Sequence, residues 1–237
     1  KDRLKNVMSK LEFKQLSQKI RFKDRKFKFT ENQVSLLKKS LDAKTKLMFL
    51  AGPAGTAKTY MAVYFALQSM MDSDLEKDIL YVRSIAESSQ RSLGSLPGSI
   101  DEKFSVFASP FYDKLEEMLE LHDIKFLKEK KQFECIPVNF VRGANWNDKI
   151  VIVDEAQNFT HAELLTVLTR IGEDSKIIIC GDMMQSDIKI SGFSKIFNTF
   201  NDEESKNNGI HCVKFTNKDI KRSEILKFIV AKLEENI

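Results

Sequence analysis

Gly52-Pro53-Ala54-Gly55-Thr56-Ala57-Lys58-Thr59 follows directly on the apolar run Leu47-Met48-Phe49-Leu50-Ala51. The run has the composition of a buried strand, and the glycine-rich turn after it ends in Lys-Thr. That is the arrangement of a phosphate-binding loop. Its pattern, G-x-x-x-x-G-K-[ST], lets backbone N–H groups curl around phosphate oxygens. Lys58 would reach the β- and γ-phosphates of a nucleotide, and Thr59 would offer its hydroxyl to Mg²⁺. A helix beginning at Lys58 would aim its positive dipole end at the same phosphates. One position departs from the pattern. Ala57 stands where the second glycine is expected, and its Cβ penalises positive φ.

Working outward, apolar and β-branched runs alternate with helical patterns. Strands are expected at 47–51, 78–82, 149–153, 176–180 and 210–215, and helices at 31–41, 58–71, 161–170, 192–200 and 223–235. The strand runs are continuously apolar, which suits strands covered on both faces of a parallel sheet. The alternation predicts an α/β fold: a doubly wound parallel sheet with helices on both faces. Residues 84–148 break the rhythm and read as an insertion after the second strand. They hold Pro97, Pro110 and Pro137, a helix start at Ser99-Ile100-Asp101-Glu102, and Phe111, Leu115, Met118 and Leu119 at helical spacing. The cluster Lys128-Glu129-Lys130-Lys131 reads as a solvated turn.

The second half of a nucleotide site lies beyond the insertion. Ile150-Val151-Ile152-Val153 runs into Asp154-Glu155-Ala156-Gln157. A buried strand ending in adjacent carboxylates has the form of a Walker B site. Asp154 would hold Mg²⁺, and Glu155 would orient and polarise the attacking water. The next strand ends Gly181-Asp182-Met183-Met184-Gln185, which places Gln185 where an amide could sense a terminal phosphate. Upstream, Thr30-Glu31-Asn32-Gln33 has two readings. It is a capping box, or Gln33 reads the edge of adenine.

The 237 residues are 42% apolar, enough for one large domain, and carry a net charge of only +4. The charge is uneven: residues 1–28 hold eleven Lys/Arg against three acids. That segment reads as a basic arm, partly an amphipathic helix on Leu4, Met8, Leu11, Leu16 and Ile20, ahead of one domain over 29–237. Such an arm contacts a nucleic-acid backbone or keeps a helix soluble. Cys135, Cys180 and Cys212 are scattered, and His122, His161 and His211 lack ligand spacing. Neither a disulfide framework nor a zinc site is expected, and a reducing cytoplasm is. No apolar run approaches the roughly 20 residues of a membrane span. Trp146 is expected to pack rather than stack on a base.

Together these residues resemble the PhoH family of P-loop ATPases, from about Lys28 to Lys232. The resemblance rests on Gly52 to Tyr60, Leu93-Gly94-Ser95-Leu96-Pro97-Gly98 and Arg142-Gly143. It continues through Val153-Asp154-Glu155-Ala156-Gln157-Asn158-Phe159-Thr160, Leu168-Thr169-Arg170-Ile171-Gly172, Gly181 to Asp187 and Phe215 to Arg222. Ala57 and the stretch 84–92 depart from the family pattern. The resemblance implies a RecA-like P-loop NTPase fold, an ATPase domain like the first motor domain of superfamily-one helicases. It also implies cytoplasmic location and a link to RNA metabolism. Fused family members carry a PIN nuclease domain, and nothing in this sequence matches one. The resemblance favours the adenine role for Gln33. The nucleotide contacts it implies are Gln33, Gly52, Pro53, Ala54, Gly55, Thr56, Ala57, Lys58, Thr59 and Tyr60, with Thr59 and Asp154 on Mg²⁺.

Phosphoryl transfer usually needs a positive group on the developing charge, and helicases supply it from a second motor domain. The chain is too short for one, so a neighbouring copy is expected to supply an arginine in a closed head-to-tail ring, expected to be a hexamer. Arg170 and Arg222 lead the candidates, ahead of Arg142. Three functions compete. The first is an ATP-hydrolysing oligomer acting on RNA or single-stranded nucleic acid. The second is a nucleotide-gated binding module with negligible turnover. The third is a small-molecule kinase, which Glu155 and Gln185 argue against.

Overall fold

The four central strands of the sheet are apolar on both faces because helices cover both. The computed structural model describes residues 20–23, 29–74, 76–84, 100–141, 143, 145–185, 188, 190–220 and 224–234. Within them six strands run parallel: β1 (Leu47–Ala51), β2 (Asp78–Arg83), β3 (Phe133–Pro137), β4 (Lys149–Asp154), β5 (Lys176–Gly181) and β6 (Ile210–Lys214). Their order across the sheet is β3-β2-β4-β5-β1-β6. The described helices are α1 (Glu31–Leu41), α2 (Lys58–Asp72), α3 (Ile100–Met118), α4 (Leu121–Glu129), α5 (His161–Leu168), α6 (Phe193–Thr199), α7 (Glu203–Asn207) and α8 (Glu224–Glu234).

The side-chain period of two sorts the strand residues into two cores. Met48, Leu50, Ile79, Tyr81, Ile150, Ile152, Ile178 and Cys180 face α1 to α4. Leu47, Phe49, Leu80, Val82, Val151, Val153, Ile177 and Ile179 face α5 and α6. This three-layer, doubly wound arrangement is the fold class predicted from the alternation. The expected strands and helices all form, with ends shifted by one or two residues.

The insertion differs from its reading in one respect. Its latter part contributes α4 and then β3, which pairs in parallel with β2 and becomes one edge strand of the sheet. Phe133-Glu134-Cys135-Ile136-Pro137 is short, interrupted by a charge and closed by proline. Those features suit an edge and hide a strand from a search for apolar runs. The Lys-rich cluster divides: Lys128 and Glu129 finish α4, and Lys130 and Lys131 make the turn.

Most of the basic arm lies outside the described residues, including Leu4, Met8, Leu11 and Leu16. Its residues 20–23 belong to the domain's packing. Ile20 is buried, Phe22 stacks on Tyr64 at 4.5 Å, and the Lys23 amide donates to Met118 O at 2.7 Å. Among the described residues no helix is long and apolar enough to cross a membrane. No group of three or more His, Cys, Asp or Glu among them could hold a metal ion. The three cysteines are free.

Candidate nucleotide site

The site forms at the carboxyl ends of β1, β5 and β4, where parallel sheets of this kind bind ligands. β5 lies between β1 and β4, so the turn at Asp182 stands between the P-loop and Glu155. Gly52 leaves β1 with its amide bonded to Gly181 O at 3.2 Å. A Cβ on Gly52 would meet the Cβ of Phe215 at 2.7 Å and its carbonyl oxygen at 3.1 Å, so only glycine fits. Gly55 has φ +84° and Ala57 φ +63°, with Thr56 outside the positive-φ set between them. Such alternation turns successive N–H groups inward into an anion-binding nest. Ala57 therefore adopts the left-handed conformation that a glycine takes without strain. It does so as the residue preceding α2, without a side-chain cap.

Two carboxylates complete the site. Asp154 is buried at the end of β4, and its two oxygens have separate partners. Thr59 Oγ1 donates to Oδ1 at 2.9 Å, and the Tyr81 hydroxyl donates to Oδ2 at 2.7 Å. The Thr59 and Asp154 oxygens are the hard pair through which Mg²⁺ is ordinarily held alongside phosphates and waters, so these residues fit that ion. When bound there, it would neutralise charge on the phosphate oxygens. Glu155 has left the strand and takes φ 52°, ψ 44°. Non-glycine residues in that region concentrate at functional sites. Gln157 donates from Nε2 to Glu155 Oε2 and accepts the Asp182 amide on Oε1 at 2.9 Å. One buried amide thus fastens the Walker B glutamate to the turn after β5. Asp182 Oδ1 in turn accepts the Met184 amide. Gln185 lies beyond on that loop and is exposed.

Lys58 folds back over the loop, donating to Gly52 O at 2.7 Å and Pro53 O at 3.0 Å. Pro53, Ala54, Thr56 and Thr59 line the turn, and Tyr60 packs toward Phe29 at 6.5 Å between ring centroids. A cleft of about 740 Å³ opens beside the loop, between the turns after β5 and β6. A larger cleft of about 1000 Å³ lies at the opposite edge of the sheet, away from this chemistry.

Gln33 forms the capping box that its spacing predicts. It is fully buried and carries the capping box: Thr30 N donates to its Oε1 at 2.9 Å, and Thr30 Oγ1 accepts the Gln33 amide. Its Nε2 donates to Thr56 O at 3.0 Å and Asp219 O at 3.3 Å. With its amide hydrogens so engaged, Gln33 has none for adenine in this conformation. These bonds tie the P-loop to the turn after β6. Asp219 closes that tie by accepting from Thr30 Oγ1, Asn32 Nδ2 and the Thr216 amide. Burial alone would raise the Asp219 pKa. The Thr216 amide and the Thr30, Asn32 and Thr216 side chains outweigh it and hold the carboxyl below its usual range. This stabilisation is present above the unfolded carboxyl's pKa of about 3.9 and is lost as pH falls through the lower folded value. Urea unfolding of wild type and Asp219→Asn between pH 6 and 3 should show a shallower acid slope in the variant.

Arg170 stands away from its own chain's P-loop. It follows α5, its carbonyl accepts the Trp146 amide at 2.8 Å, and its Nη1 donates to Gly143 O. Trp146 and Ile171 bridge just before β4 and β5 begin. These contacts lie toward the amino edge of the sheet, roughly a strand length of 17 Å from the loop. Arg142 and Arg222 lie outside the described residues. Trp146 packs against the second core, as expected.

Tyr81 is the residue that sequence reading missed. It lies mid-strand in β2, fully buried, with its ring 5.1 Å from Phe111 of α3. Burial, then the charge and hydrogen bond of Asp154, push its phenol well above its ordinary pKa, so it stays a donor. A lone tyrosine in an apolar run carries no local signal for this role, because its partner is 73 residues away. Tyr81→Phe should leave Asp154 Oδ2 without its buried donor and destabilise the fold by about 1–3 kcal/mol. It should also shift the Mg²⁺ concentration giving half-maximal nucleotide affinity. An unchanged Mg²⁺ dependence would reduce Tyr81 to packing.

Fold, loop and paired carboxylates define a P-loop NTPase. The profile of the PhoH-like protein family matches residues 27–234, and the chain belongs to that family. It is 41% identical over 145 residues to a PhoH-like protein of Synechocystis sp., covering 61% of this chain and 44% of that one. It is 42% identical over 142 residues to a PhoH-like protein of Bacillus subtilis, covering 60% and 44%. The chain thus spans about half the length of the curated relatives it matches. Among solved structures, a Pif1 helicase from Candida albicans is similar with TM-score 0.39 and 15% identity, over 80% of this chain and 40% of that one.

Proposed function

We propose that this chain binds and hydrolyses ATP with Mg²⁺, and that it works as an assembled ring on RNA or single-stranded nucleic acid in the cytoplasm. The observation carrying the proposal is the chain of contacts Thr59–Asp154 and Glu155–Gln157–Asp182, across adjacent strand ends beside the P-loop. In this reading the nest formed around Gly55 and Ala57 holds the phosphates, and Lys58 moves from its loop carbonyls to the β- and γ-oxygens. Thr59 and Asp154 hold the ion. Glu155 accepts a proton from the attacking water, and Gln185 senses the terminal phosphate. The family's helicase-like site and the basic residues 1–28 support the polymer substrate.

The strain at Ala57 favours a second reading, a nucleotide-gated module with negligible turnover. Steady-state ATP hydrolysis by the full chain, with and without single-stranded RNA and DNA, separates the two when assembly size is measured in the same buffer. Turnover raised by one polymer in an assembled protein supports the motor and names its track. Tight ATP binding without turnover, recovered in Ala57→Gly, supports the module and assigns its cause to the left-handed alanine.

A further inference from the structure

The reading above leaves the positive charge on the transferred phosphoryl group to a neighbouring copy. β2 offers one from within the chain. Arg83 is the last residue of β2, and its register partner on β4 is Asp154. Neighbouring strands lie about 4.8 Å apart. Alternation puts Arg83 on the same face as Ile79 and Tyr81, the face that α2 covers. Asp154 presents its carboxylate on that face too, since Thr59 of α2 and Tyr81 both bond to it.

Arg83 is half-buried, and among the described residues no hydrogen bond or ion pair engages its guanidinium. An arginine present to neutralise Asp154 would be paired with it, yet the two Asp154 oxygens are taken by Thr59 and Tyr81. A guanidinium offers five donors in a rigid fork that matches phosphate oxygens, and its charge is permanent. Arg170 lies toward the other edge of the sheet.

We propose that Arg83 binds the terminal phosphate of the nucleotide held by its own chain's P-loop, so that the site carries an arginine in cis. The proposal rests on the ATP-hydrolase reading for its catalytic consequence but not for its binding consequence. The test uses the full chain, with ADP and a non-hydrolysable ATP analogue as probes, in wild type, Arg83→Ala and Arg83→Lys. Arg83→Ala should lose about tenfold or more in affinity for the analogue, with ADP affinity nearly unchanged, because the lost contact is a charge-assisted one to the terminal phosphate. Arg83→Lys should recover part of the loss. Equal losses for both nucleotides, or none, would overturn the proposal.

Mixing Arg83→Ala with Glu155→Gln chains decides which copy the arginine serves. An arginine in cis leaves every site of the mixture defective, so turnover stays at the Arg83→Ala level. Recovery above that level would place the arginine in the neighbour's site and overturn the assignment. Intact analogue binding and intact unstimulated turnover, with only polymer stimulation lost, would assign Arg83 to nucleic-acid phosphates instead. If wild type shows no turnover, the hydrolase reading fails while the analogue-to-ADP affinity ratio still decides Arg83.

Discussion

Glu155→Gln is expected to lower ATP turnover by about 10²-fold or more while ATP affinity stays within about twofold of wild type. The substitution keeps the size of the side chain and removes its capacity to take a proton. Glu155 is also held for that role. Its left-handed backbone turns it off the end of β4, and Gln157 bonds to Oε2 while accepting the Asp182 amide. A glutamine at 155 can still meet Gln157 through its carbonyl oxygen, so the loop geometry survives. The loss is therefore expected in the chemical step, read as kcat in steady-state assays beside a nucleotide titration. Turnover within a factor of a few of wild type would remove Glu155 as the general base and leave it as one more support for the turn at Asp182.

Gly52→Ala should cost about 1–3 kcal/mol of stability and abolish measurable nucleotide binding. The added methyl would lie 2.7 Å from Phe215 Cβ, 3.1 Å from its carbonyl oxygen and 3.3 Å from its Cα. None of these atoms yields cheaply. Phe215 is buried to 1% exposure, and its amide is fastened to Ala51 O at 2.7 Å. The loop must therefore move, and its N–H groups lose their common focus. Gly52 also receives a Lys58 bond on its carbonyl, so the displacement reaches the lysine directly. Urea unfolding with nucleotide titration checks both halves. A variant with wild-type midpoint and wild-type affinity would show that β1 and the β6 turn separate more easily than their contacts imply.

Much of the site was legible in the chain itself. The loop 52–59 and the carboxylates 154–155 announce themselves because each is a short segment whose chemistry depends on residues adjacent in sequence. The four interior strands were legible for a related reason: burial on both faces leaves an unbroken apolar run. β3 escaped because an edge strand is buried unevenly, and Glu134 breaks its run. Gln33 was legible as a capping box from its spacing. Its bonds to Thr56 and Asp219, 23 and 186 residues away, left no such local mark.

By itself, then, the sequence determined the phosphate-binding loop, the Walker B pair, the alternation that builds a doubly wound sheet, and the family. Local pattern and short-range sterics decide each of these. The tertiary structure alone decided which strand ends become neighbours. The order β2-β4-β5-β1 brings Gln157 to Asp182, Thr59 and Tyr81 to Asp154, and Arg83 level with Asp154 on the neighbouring strand. It also carried Arg170 toward the far edge. Such pairings close loops of tens to hundreds of residues. Their free energy comes from the whole sheet's burial rather than from any local preference, and so they leave no mark on the segments they join.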